Sequence, residues 1–319
     1  MEKRVLVITG PTATGKSALG VALAKRLDGE VLSADSMQVY RGMDIGTAKV
    51  TAFEMQGVPH HLLDIADPSE NFSAARWVEA AAACAEAVFA RGRVPILVGG
   101  TGLYIDSLLS GRDFAESGDP DLRAALSAEY DRLGGEAFRE TLRKVDPERA
   151  EILHPADKKR LVRALEVFRL TGEPISAHDE KTKTLPLRWP SLRVALTYAD
   201  REALYARIDQ RVEEMAAAGL FEETARLLET GLAPDSTAMQ AIGYKESAEY
   251  LQGRCTRAEA VGAIARASRR YAKRQLTWLR RDPEVHWIEW DGAPDIPAAA
   301  DTVCQLFRQF TGADKEETR

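Results

Sequence analysis

Cysteine is scarce in this chain of 319 residues, and the three that occur, Cys84, Cys255 and Cys304, lie far apart. No CxxC pair and no Cys/His cluster exists, which argues against a zinc site of the usual ligand spacing. A sparse and odd number of cysteines also argues against a disulfide framework and is typical of a reducing cytosol. We therefore predict a cytoplasmic protein that relies on its apolar core for stability.

Long apolar runs are missing as well. No stretch approaches the roughly 20 apolar residues that a helix needs to cross a bilayer, so no membrane partner is expected. Only about five apolar residues follow the charged N-terminal residues before the first glycine, too few for the apolar region of a signal peptide. Hydrophobic residues make up 45% of the chain and charged residues 29%, which is the composition of a globular protein with a sizeable core.

Positive charge is in the minority, since the formal net charge is −6. Taken alone, this balance argues mildly against nucleic-acid binding. The distribution points the other way, because eight basic residues against a single glutamate lie between Arg257 and Arg281, and a second basic cluster lies within residues 158–163. A solvated helix face would explain either run alone, but two dense runs in an otherwise acidic chain favour RNA.

Short apolar strands alternate with helix-like segments in the first hundred residues. The pattern predicts strands over residues 4–9, 31–33 and 94–98 and helices over residues 17–27 and 73–91. This alternation predicts an α/β fold in which a parallel sheet is flanked by helices.

Strand signals almost disappear between about residues 114 and 185. Helices are predicted there over residues 121–133, 148–153 and 157–171. Beyond this region the pattern predicts strands over residues 192–197 and 285–290 and helices over residues 200–217, 221–229 and 256–279. We therefore predict a core of residues 1–113 and 191–319, with a helical insertion domain of residues 114–190.

One motif matches the phosphate-binding pattern GxxxxGK[ST] in full, and it consists of Gly10, Pro11, Thr12, Ala13, Thr14, Gly15, Lys16 and Ser17. A predicted strand precedes it and a predicted helix begins inside it. Backbone amides and the helix N-terminus attract phosphate oxygens, Lys16 adds a positive charge, and the Ser17 hydroxyl can ligate Mg²⁺. The motif predicts a P-loop NTPase-like core with Mg²⁺ as the cofactor. It does not say which phosphate compound binds, and ATP or GTP is the default expectation.

A second acidic residue, expected in P-loop nucleotide hydrolases at the end of another apolar strand, is absent from its usual place. The strand over residues 94–98 runs into Gly99 and Gly100 without a carboxylate, and the nearest strand-end acid is Asp35. We hypothesise that Asp35 is a general base and that Thr101 donates a hydrogen bond to the leaving oxygen. The spacing alone leaves a metal-organising or helix-capping role for Asp35 open.

Four stretches together resemble the tRNA dimethylallyltransferase family, also called isopentenyl-tRNA transferases. They are GPTATGKS at residues 10–17, DSMQVYRGMDIGTAK at 35–49, ILVGGTGLY at 96–104 and KRQLTWLR at 273–280. Shorter matches occur at residues 60–68, 163–168 and 240–245, so that the resemblance covers roughly residues 4–290. The stretch at 35–49 is highly specific, whereas the phosphate loop alone is not.

The resemblance implies a reaction. The dimethylallyl group of dimethylallyl diphosphate is transferred to the exocyclic N6 amine of the adenosine 3′-adjacent to the anticodon of tRNA, and diphosphate leaves in the presence of Mg²⁺. The resemblance makes Asp35 the general base, places Thr101 at the bridging oxygen and assigns Arg211 to the diphosphate. Ser17 stands where the family often has threonine, which keeps the metal-binding hydroxyl. The expected partners are the tRNA anticodon stem-loop and dimethylallyl diphosphate, and the chain is expected to be a monomer.

The residues expected to bind tRNA form three groups. Those beside the proposed base are Asp35, Ser36, Met37, Gln38 and Thr101. Those in the predicted insertion are Arg123, Lys159, Arg160, Leu161, Val162 and Arg163. Those in the C-terminal part are Gln240, Gly243, Tyr244, Lys245, Lys273, Arg274 and Arg280.

Two other functions fit a phosphate loop and basic patches. A P-loop kinase would transfer phosphate from ATP to a small metabolite and would be indifferent to tRNA. A non-catalytic, nucleotide-dependent RNA-binding switch would bind tRNA without changing it covalently. The covalent fate of the tRNA separates the three functions.

Overall fold

The structure is a computed structural model, and it describes residues 3–112, 114 and 118–312. The chain divides into two compact units, one formed by Met1–Leu108 with Trp189–Arg319 and the other by Leu109–Arg188. The predicted domain boundary at residue 113 lies outside the described residues. Each unit has an apolar core of its own.

A six-stranded sheet forms the centre of the larger unit. Its strands are β1 (Val5–Thr9), β2 (Gly29–Ser33), β3 (His60–His61), β4 (Val94–Val98), β5 (Ser191–Tyr198) and β6 (His286–Trp290). They lie in the order β3-β2-β4-β1-β5-β6, and the pairings between neighbouring strands are parallel. The predicted α/β fold with a parallel sheet flanked by helices is therefore confirmed.

The described residues form fourteen helices. They are α1 (Lys16–Arg26), α2 (Ala52–Met55), α3 (Ala74–Ala90), α4 (Gly102–Leu109), α5 (Pro120–Leu133), α6 (Gly135–Arg143), α7 (Pro147–Ile152), α8 (Lys158–Thr171), α9 (Ile175–Lys183), α10 (Arg201–Ala217), α11 (Leu220–Glu229), α12 (Tyr244–Leu251), α13 (Arg257–Leu279) and α14 (Ile296–Thr311). Within the described ranges, none has the length and apolar character that a membrane-spanning helix needs.

The central strand β1 is buried along its whole length and lies between β4 and β5. Its sequence VLVIT is a continuous run rather than an alternating one, because a parallel strand in an α/β sheet is covered by helices on both faces. The register places Ile8 beside Val98 of β4 and Val194 of β5. The phosphate-loop motif therefore begins at the end of the best-buried strand of the sheet.

Glu30 is a buried carboxylate at the end of β2 opposite to Asp35, and only 2% of it is exposed. Arg91 and His61 each approach it to 2.6 Å, and Arg93 approaches it to 3.0 Å. The hydrogen bonds from Arg91, followed by those from His61 and Arg93, outweigh the effect of burial and lower the pKa of Glu30 to about 2. His61 thus belongs to a structural network around a buried carboxylate.

The smaller unit, residues 109–188, consists of helices packed around a core that contains Leu126, Phe138 and Leu161. Side-chain oxygens of three aspartates cap α5, α7 and α8, namely Asp119, Asp146 and Asp157. The three helices predicted in this region are confirmed to within a residue or two at each end. Helices α6 and α9 were not predicted, and they fill the segments between the predicted helices and the return to β5.

Candidate active site

Three motifs meet at the carboxyl ends of neighbouring strands, which is where open parallel sheets bind ligands. The loop after β1 begins at Gly10, the segment after β2 carries Asp35, and the loop after β4 carries Thr101. Backbone hydrogen bonds tie these segments together, from the amide of Gly99 to Ile8 O at 3.1 Å and from the amide of Thr101 to Ala34 O at 3.1 Å. Residues far apart in sequence thereby share one edge of the sheet.

The phosphate loop has the backbone that its glycines permit. Gly10 has φ +133°, and a Cβ there would lie 2.3 Å from the carbonyl oxygen of Leu196. Gly15 has φ +87° and stands directly before α1. The buried Thr14 hydroxyl donates to Pro11 O at 2.9 Å, and the Trp290 indole donates to Thr14 O at 3.1 Å. These contacts fix a loop that ends at a helix N-terminus, where anions are attracted.

Lys16, Arg211 and Asp35 are close enough to influence one another electrostatically. Burial, aided by the charge of Arg211 and opposed by that of Asp35, lowers the pKa of Lys16 to about 7. Burial also lowers the pKa of Arg211, and again Asp35 opposes the shift. The Lys16 ammonium donates to Pro11 O at 2.6 Å. Two cations against one carboxylate leave the site with a surplus of positive charge, as an anionic ligand requires.

Asp35 uses one of its two oxygens to hold its own loop. Oδ1 accepts from the amide of Met37 at 2.8 Å and from that of Gln38 at 3.3 Å. This is a turn stabilised by an aspartate, and no helix begins here, so the helix-capping alternative for Asp35 is wrong. Among the described residues, Oδ2 accepts no hydrogen bond, and it can take up a proton.

Thr101 lies beside Asp35 and is joined to the same loop. Its Oγ1 accepts from the amide of Ser36 at 3.1 Å, so its own proton can still be donated to a ligand oxygen. Tyr271 of α13 is hydrogen-bonded with Thr101 and lies close enough to Asp35 to be influenced by its charge. Burial and then the charge of Asp35 raise the pKa of Tyr271 to about 12, although hydrogen bonding with Thr101 opposes the rise. The sequence analysis missed Tyr271, although a tyrosine two residues before the KRQLTWLR motif, and one helical turn before its Gln275, was a usable signal.

Gln275 is a second missed residue, and it links two of the loops. Its Oε1 accepts from the amide of Thr12 at 3.2 Å, and its Nε2 donates to Gly100 O at 3.0 Å. Gln275 is 6% exposed. A Cβ on Gly100 would lie 2.0 Å from Nε2, which explains a glycine at that position. One buried amide therefore sets the distance between the phosphate loop and the loop that carries Thr101.

Ser17 is the predicted metal ligand, and it lies exposed in the first turn of α1. The described part of the chain contains no group of three or more His, Cys, Asp or Glu side chains that could hold a metal ion. Mg²⁺ commonly binds through one or two protein oxygens, phosphate oxygens and water. A single accessible hydroxyl beside the phosphate loop fits that mode of binding.

A family model described as IPP transferase matches residues 38–282, which is most of the chain and includes the Thr101 loop, Arg211 and Tyr271. The chain belongs to the IPP transferase family. It is 49% identical over 287 residues to tRNA dimethylallyltransferase 1 of Pelobacter propionicus, and the match covers 90% of this chain and 93% of that protein. It is 45% identical over 309 residues to the tRNA dimethylallyltransferase of Geobacter sulfurreducens, with 97% of each covered.

Solved structures place this IPP transferase with the same relatives. A full-length tRNA isopentenylpyrophosphate transferase from Bacillus halodurans is 42% identical, with a TM-score of 0.73 over 100% of both chains. A eukaryotic dimethylallyltransferase, described as acting on tRNA, is 29% identical with a TM-score of 0.82, over 99% of this chain and 80% of that one. The predicted family and the P-loop NTPase-like fold are confirmed.

The predicted tRNA-binding residues beside Asp35 are all partly exposed in this IPP transferase. Met37 and Ser36 use their amides within the loop, as described above. The side chain of Gln38 is committed on both sides, because Ser33 donates to its Oε1 at 2.9 Å and its Nε2 donates to Thr47 O at 3.2 Å. Gln38 therefore organises the loop as well as lying at its surface.

Three predicted contacts have no side-chain surface to offer a tRNA. Tyr244 is fully buried, and its hydroxyl donates to Glu223 at 2.6 Å. Leu161 and Val162 belong to the apolar core of the smaller unit. These three residues lie within the stretches that resemble the family, but their side chains pack into the protein core. Their predicted contact with tRNA is therefore corrected to a structural role.

The remaining predicted contacts, apart from Gly243, are at least partly accessible. In the smaller unit, Lys159 and Arg160 are exposed, whereas Arg123 and Arg163 form ion pairs with the buried Glu166. In the larger unit, Gly243 is buried and the exposed residues are Gln240, Lys245, Lys273, Arg274 and Arg280. Within the residues that the structure describes, Lys273, Arg274 and Arg280 form no ion pair. Their charges are therefore available to phosphates.

Proposed function

We propose that this chain transfers the dimethylallyl group of dimethylallyl diphosphate to the exocyclic N6 amine of the adenosine 3′-adjacent to the anticodon in tRNA, and releases diphosphate. The observation that carries the proposal is the grouping of Lys16, Arg211 and Asp35 at the phosphate loop. Two cations suit the leaving diphosphate, and one carboxylate suits the amine. The names of the relatives support dimethylallyl transfer to tRNA over the kinase alternative.

The leaving group sets the first requirement. As the bond between the allylic carbon and the diphosphate oxygen breaks, negative charge grows on the diphosphate. Loop amides, Lys16 and Arg211 stabilise this growing charge more than they stabilise the intact donor, which is the differential binding that accelerates a reaction. Thr101 donates its hydroxyl proton to the bridging oxygen, with its Oγ1 oriented by the Ser36 amide.

The incoming amine sets the second requirement. The N6 lone pair is conjugated with the purine ring, so the amine is a weak base and a poor nucleophile. As the carbon–nitrogen bond forms, one N6 proton passes to Oδ2 of Asp35 while the electron pair of the breaking bond leaves with the diphosphate. A positioned base of this kind contributes roughly 10²–10⁴-fold in rate.

The cofactor and partners complete the proposal. Mg²⁺, held through the Ser17 hydroxyl and the diphosphate oxygens, would supply further positive charge to the leaving group. A stacked anticodon-loop adenine must be drawn out before it can react, which requires a grip on the flanking phosphates. The exposed cations of α13 supply that grip in our proposal. We further propose that the chain acts in the cytoplasm as a monomer.

The test is an incubation of the protein with a tRNA anticodon stem-loop, Mg²⁺ and either labelled dimethylallyl diphosphate or labelled ATP. The proposal expects carbon label on the RNA from the allylic donor and no product that depends on ATP. A stem-loop with guanosine in place of the target adenosine is the control and should stay unlabelled. Phosphate transfer from ATP would favour the kinase, and binding of RNA without any covalent change would favour the switch.

A further inference from the structure

The segment between β2 and α2 carries the proposed base and the residues beside it, yet it contains no regular helix or strand of its own. Val39, Tyr40 and Met43 are buried, so the segment packs against the protein rather than lying on its surface. Backbone groups that leave water must find other hydrogen-bond partners. The partners of residues 44–46 come from a helix that follows far later in the chain.

The carboxylate of Glu223 on α11 supplies them. The amide of Asp44 donates to it at 3.1 Å, that of Ile45 at 2.9 Å and that of Gly46 at 3.1 Å. Consecutive amides that converge in this way form a binding site for an anion, and here the anion is a side chain of the same protein. Glu223 is 3% exposed.

Glu223 has no cation for a partner in the part of the chain that the structure describes. Its fourth donor is the Tyr244 hydroxyl at 2.6 Å. Burial, followed by the charge of Glu223 and this hydrogen bond, raises the pKa of Tyr244, so the phenol keeps its proton. Gly46 fits against the ring of Tyr244, and a Cβ there would lie 2.4 Å from it. The carboxylate is thus held entirely by neutral donors.

We call Glu223, Tyr244 and the amides of residues 44–46 the clamp. The clamp is connected to the proposed base through Gln38. Residue Thr47 follows the clamped amides, and its carbonyl oxygen accepts from the Gln38 amide at 3.2 Å. Gln38 is bonded in turn to Ser33 at the end of β2, and its own backbone amide donates to Asp35. A shift of the clamped amides would therefore move the Thr47 carbonyl, then Gln38, and then the loop that orients Asp35.

We propose that Glu223 is a positioning residue for the transfer reaction, and this inference rests on the function proposed above. Glu223 touches neither donor nor tRNA. It fixes residues 44–47 so that Gln38 and its neighbours present a formed surface to the incoming adenine. The phosphate loop is held by other contacts, those of Gln275 and Trp290, so the clamp acts on the tRNA side of the reaction and not on diphosphate binding.

The test replaces the carboxylate by an amide in Glu223→Gln. A carboxamide has a single acceptor oxygen, and its NH₂ group would face backbone donors. We expect kcat/KM for the anticodon stem-loop to fall about tenfold or more, as for loss of a hydrogen-bonded clamp, while inorganic diphosphate binds as in the parent. The matched control is Glu222→Gln, an exposed neighbour on α11, which should match the parent in both.

Two outcomes would overturn the inference. One is transfer by Glu223→Gln at the parent's kcat/KM, and the other is an equal loss of diphosphate binding and tRNA use, which a general structural defect would produce. Should Glu223→Gln not fold, Tyr244→Phe decides the question, because it removes only one donor of the clamp. A loss confined to kcat/KM for the stem-loop supports the inference, and parent-like transfer or an equal loss of diphosphate binding overturns it. Absence of prenyl transfer by the parent protein would instead refute the proposed function.

Discussion

Lys16 and Arg211 are two cations held near each other and partly out of water, an arrangement that costs free energy in the protein alone. Asp35 offsets part of that cost, but burial still lowers the pKa of both cations. A bound diphosphate would supply the missing negative charge and reverse the shift of Lys16. At the scale of single residues, the site is therefore built to be completed by an anion.

Diphosphate affinity should fall as the pH rises through the pKa of Lys16. That pKa is about 7 in the protein alone, and a bound anion raises it, so binding takes up a proton and weakens by up to about tenfold per pH unit above 7. Calorimetric titration with inorganic diphosphate and Mg²⁺ between about pH 6.5 and 8.5 measures this. Lys16→Arg is the control, because its guanidinium stays charged over this pH range. The titration of diphosphate itself affects parent and variant equally, so it cancels in the comparison. Parallel curves for parent and variant would contradict the prediction.

Replacement of Asp35 by asparagine should remove the base while keeping the turn, because the amide oxygen can still accept from Met37. We expect the single-turnover rate of transfer to fall roughly 10²–10⁴-fold, with stem-loop binding unchanged. Rapid-quench assays and a filter-binding titration measure the two quantities. Asp301→Asn, at an exposed position on α14, should behave as the parent. Near-normal turnover by Asp35→Asn would show that another group takes the proton.

At the scale of elements, the chemistry lies in loops while helices from elsewhere in the chain hold those loops in place. Helix α13 contributes Gln275 and Tyr271 behind the phosphate and Thr101 loops, and α11 contributes Glu223 behind the segment after β2. The strands set the position at which each loop begins, and the buried polar side chains of these helices hold the loop backbones by hydrogen bonds.

Gln275→Leu should loosen the junction of the phosphate loop and the Thr101 loop. It leaves the Thr12 amide and the Gly100 carbonyl without their partner, so the free energy of unfolding should drop by about 2 kcal/mol. Diphosphate affinity should drop as well, since the cradle loses its support. Urea unfolding and calorimetry measure the two effects. Gln305→Leu, exposed on α14, should stay within about 0.5 kcal/mol of the parent, and equal behaviour of the two variants would contradict this role.

The strands and the long helices could be predicted from the sequence because their apolar patterns are long enough to show a period. The strand β3 has two residues and α2 has four, too few for any period. Helix α14 was missed, although Asp295 caps it and a proline follows at its start, which was a usable signal.

The site could be predicted only where it lies in motifs. Asp35, Thr101 and the phosphate loop stand at strand ends in recognisable patterns, and Arg211 came from the family resemblance. The role of Glu223 could not be predicted, because the backbone amides that it binds lie 177–179 positions earlier in the chain. A glutamate on an amphipathic helix is normally expected to be exposed to solvent. Tyr244 lies in a motif and was therefore predicted to contact tRNA, whereas the structure buries it beside Glu223 as part of the clamp.

At the scale of the whole molecule, an acidic protein is proposed to bind a polyanion. The net charge is −6, so tRNA must meet a local concentration of positive charge. Lys273 and Arg274 on α13, together with Arg280 directly after it, provide one, since none of these exposed cations forms an ion pair within the described ranges. Association should therefore depend strongly on salt, and it should depend on this helix in particular.

Single substitutions of the exposed cations on α13 and at its C-terminal cap should lower the salt dependence of stem-loop binding. Each of Lys273→Ala, Arg274→Ala and Arg280→Ala removes one phosphate contact, so the slope of log K against log salt should fall by about 0.7–0.9 per substitution. Fluorescence anisotropy at several salt concentrations measures the slope. Arg308→Ala, exposed on α14, is the control for general charge. Slopes that match the parent for all three variants would place the RNA on another surface.

The central claim is that the phosphate loop holds the diphosphate of an allylic donor while an adenine amine in tRNA displaces it. Its most direct test is a reaction with the anticodon stem-loop, Mg²⁺ and equal concentrations of dimethylallyl diphosphate and ATP, followed by mass spectrometry of the RNA and quantification of diphosphate and ATP. The account predicts one C₅H₈ unit gained at N6 of a single adenosine for each diphosphate released, with ATP untouched. Consumption of ATP with no carbon unit on the RNA would contradict it.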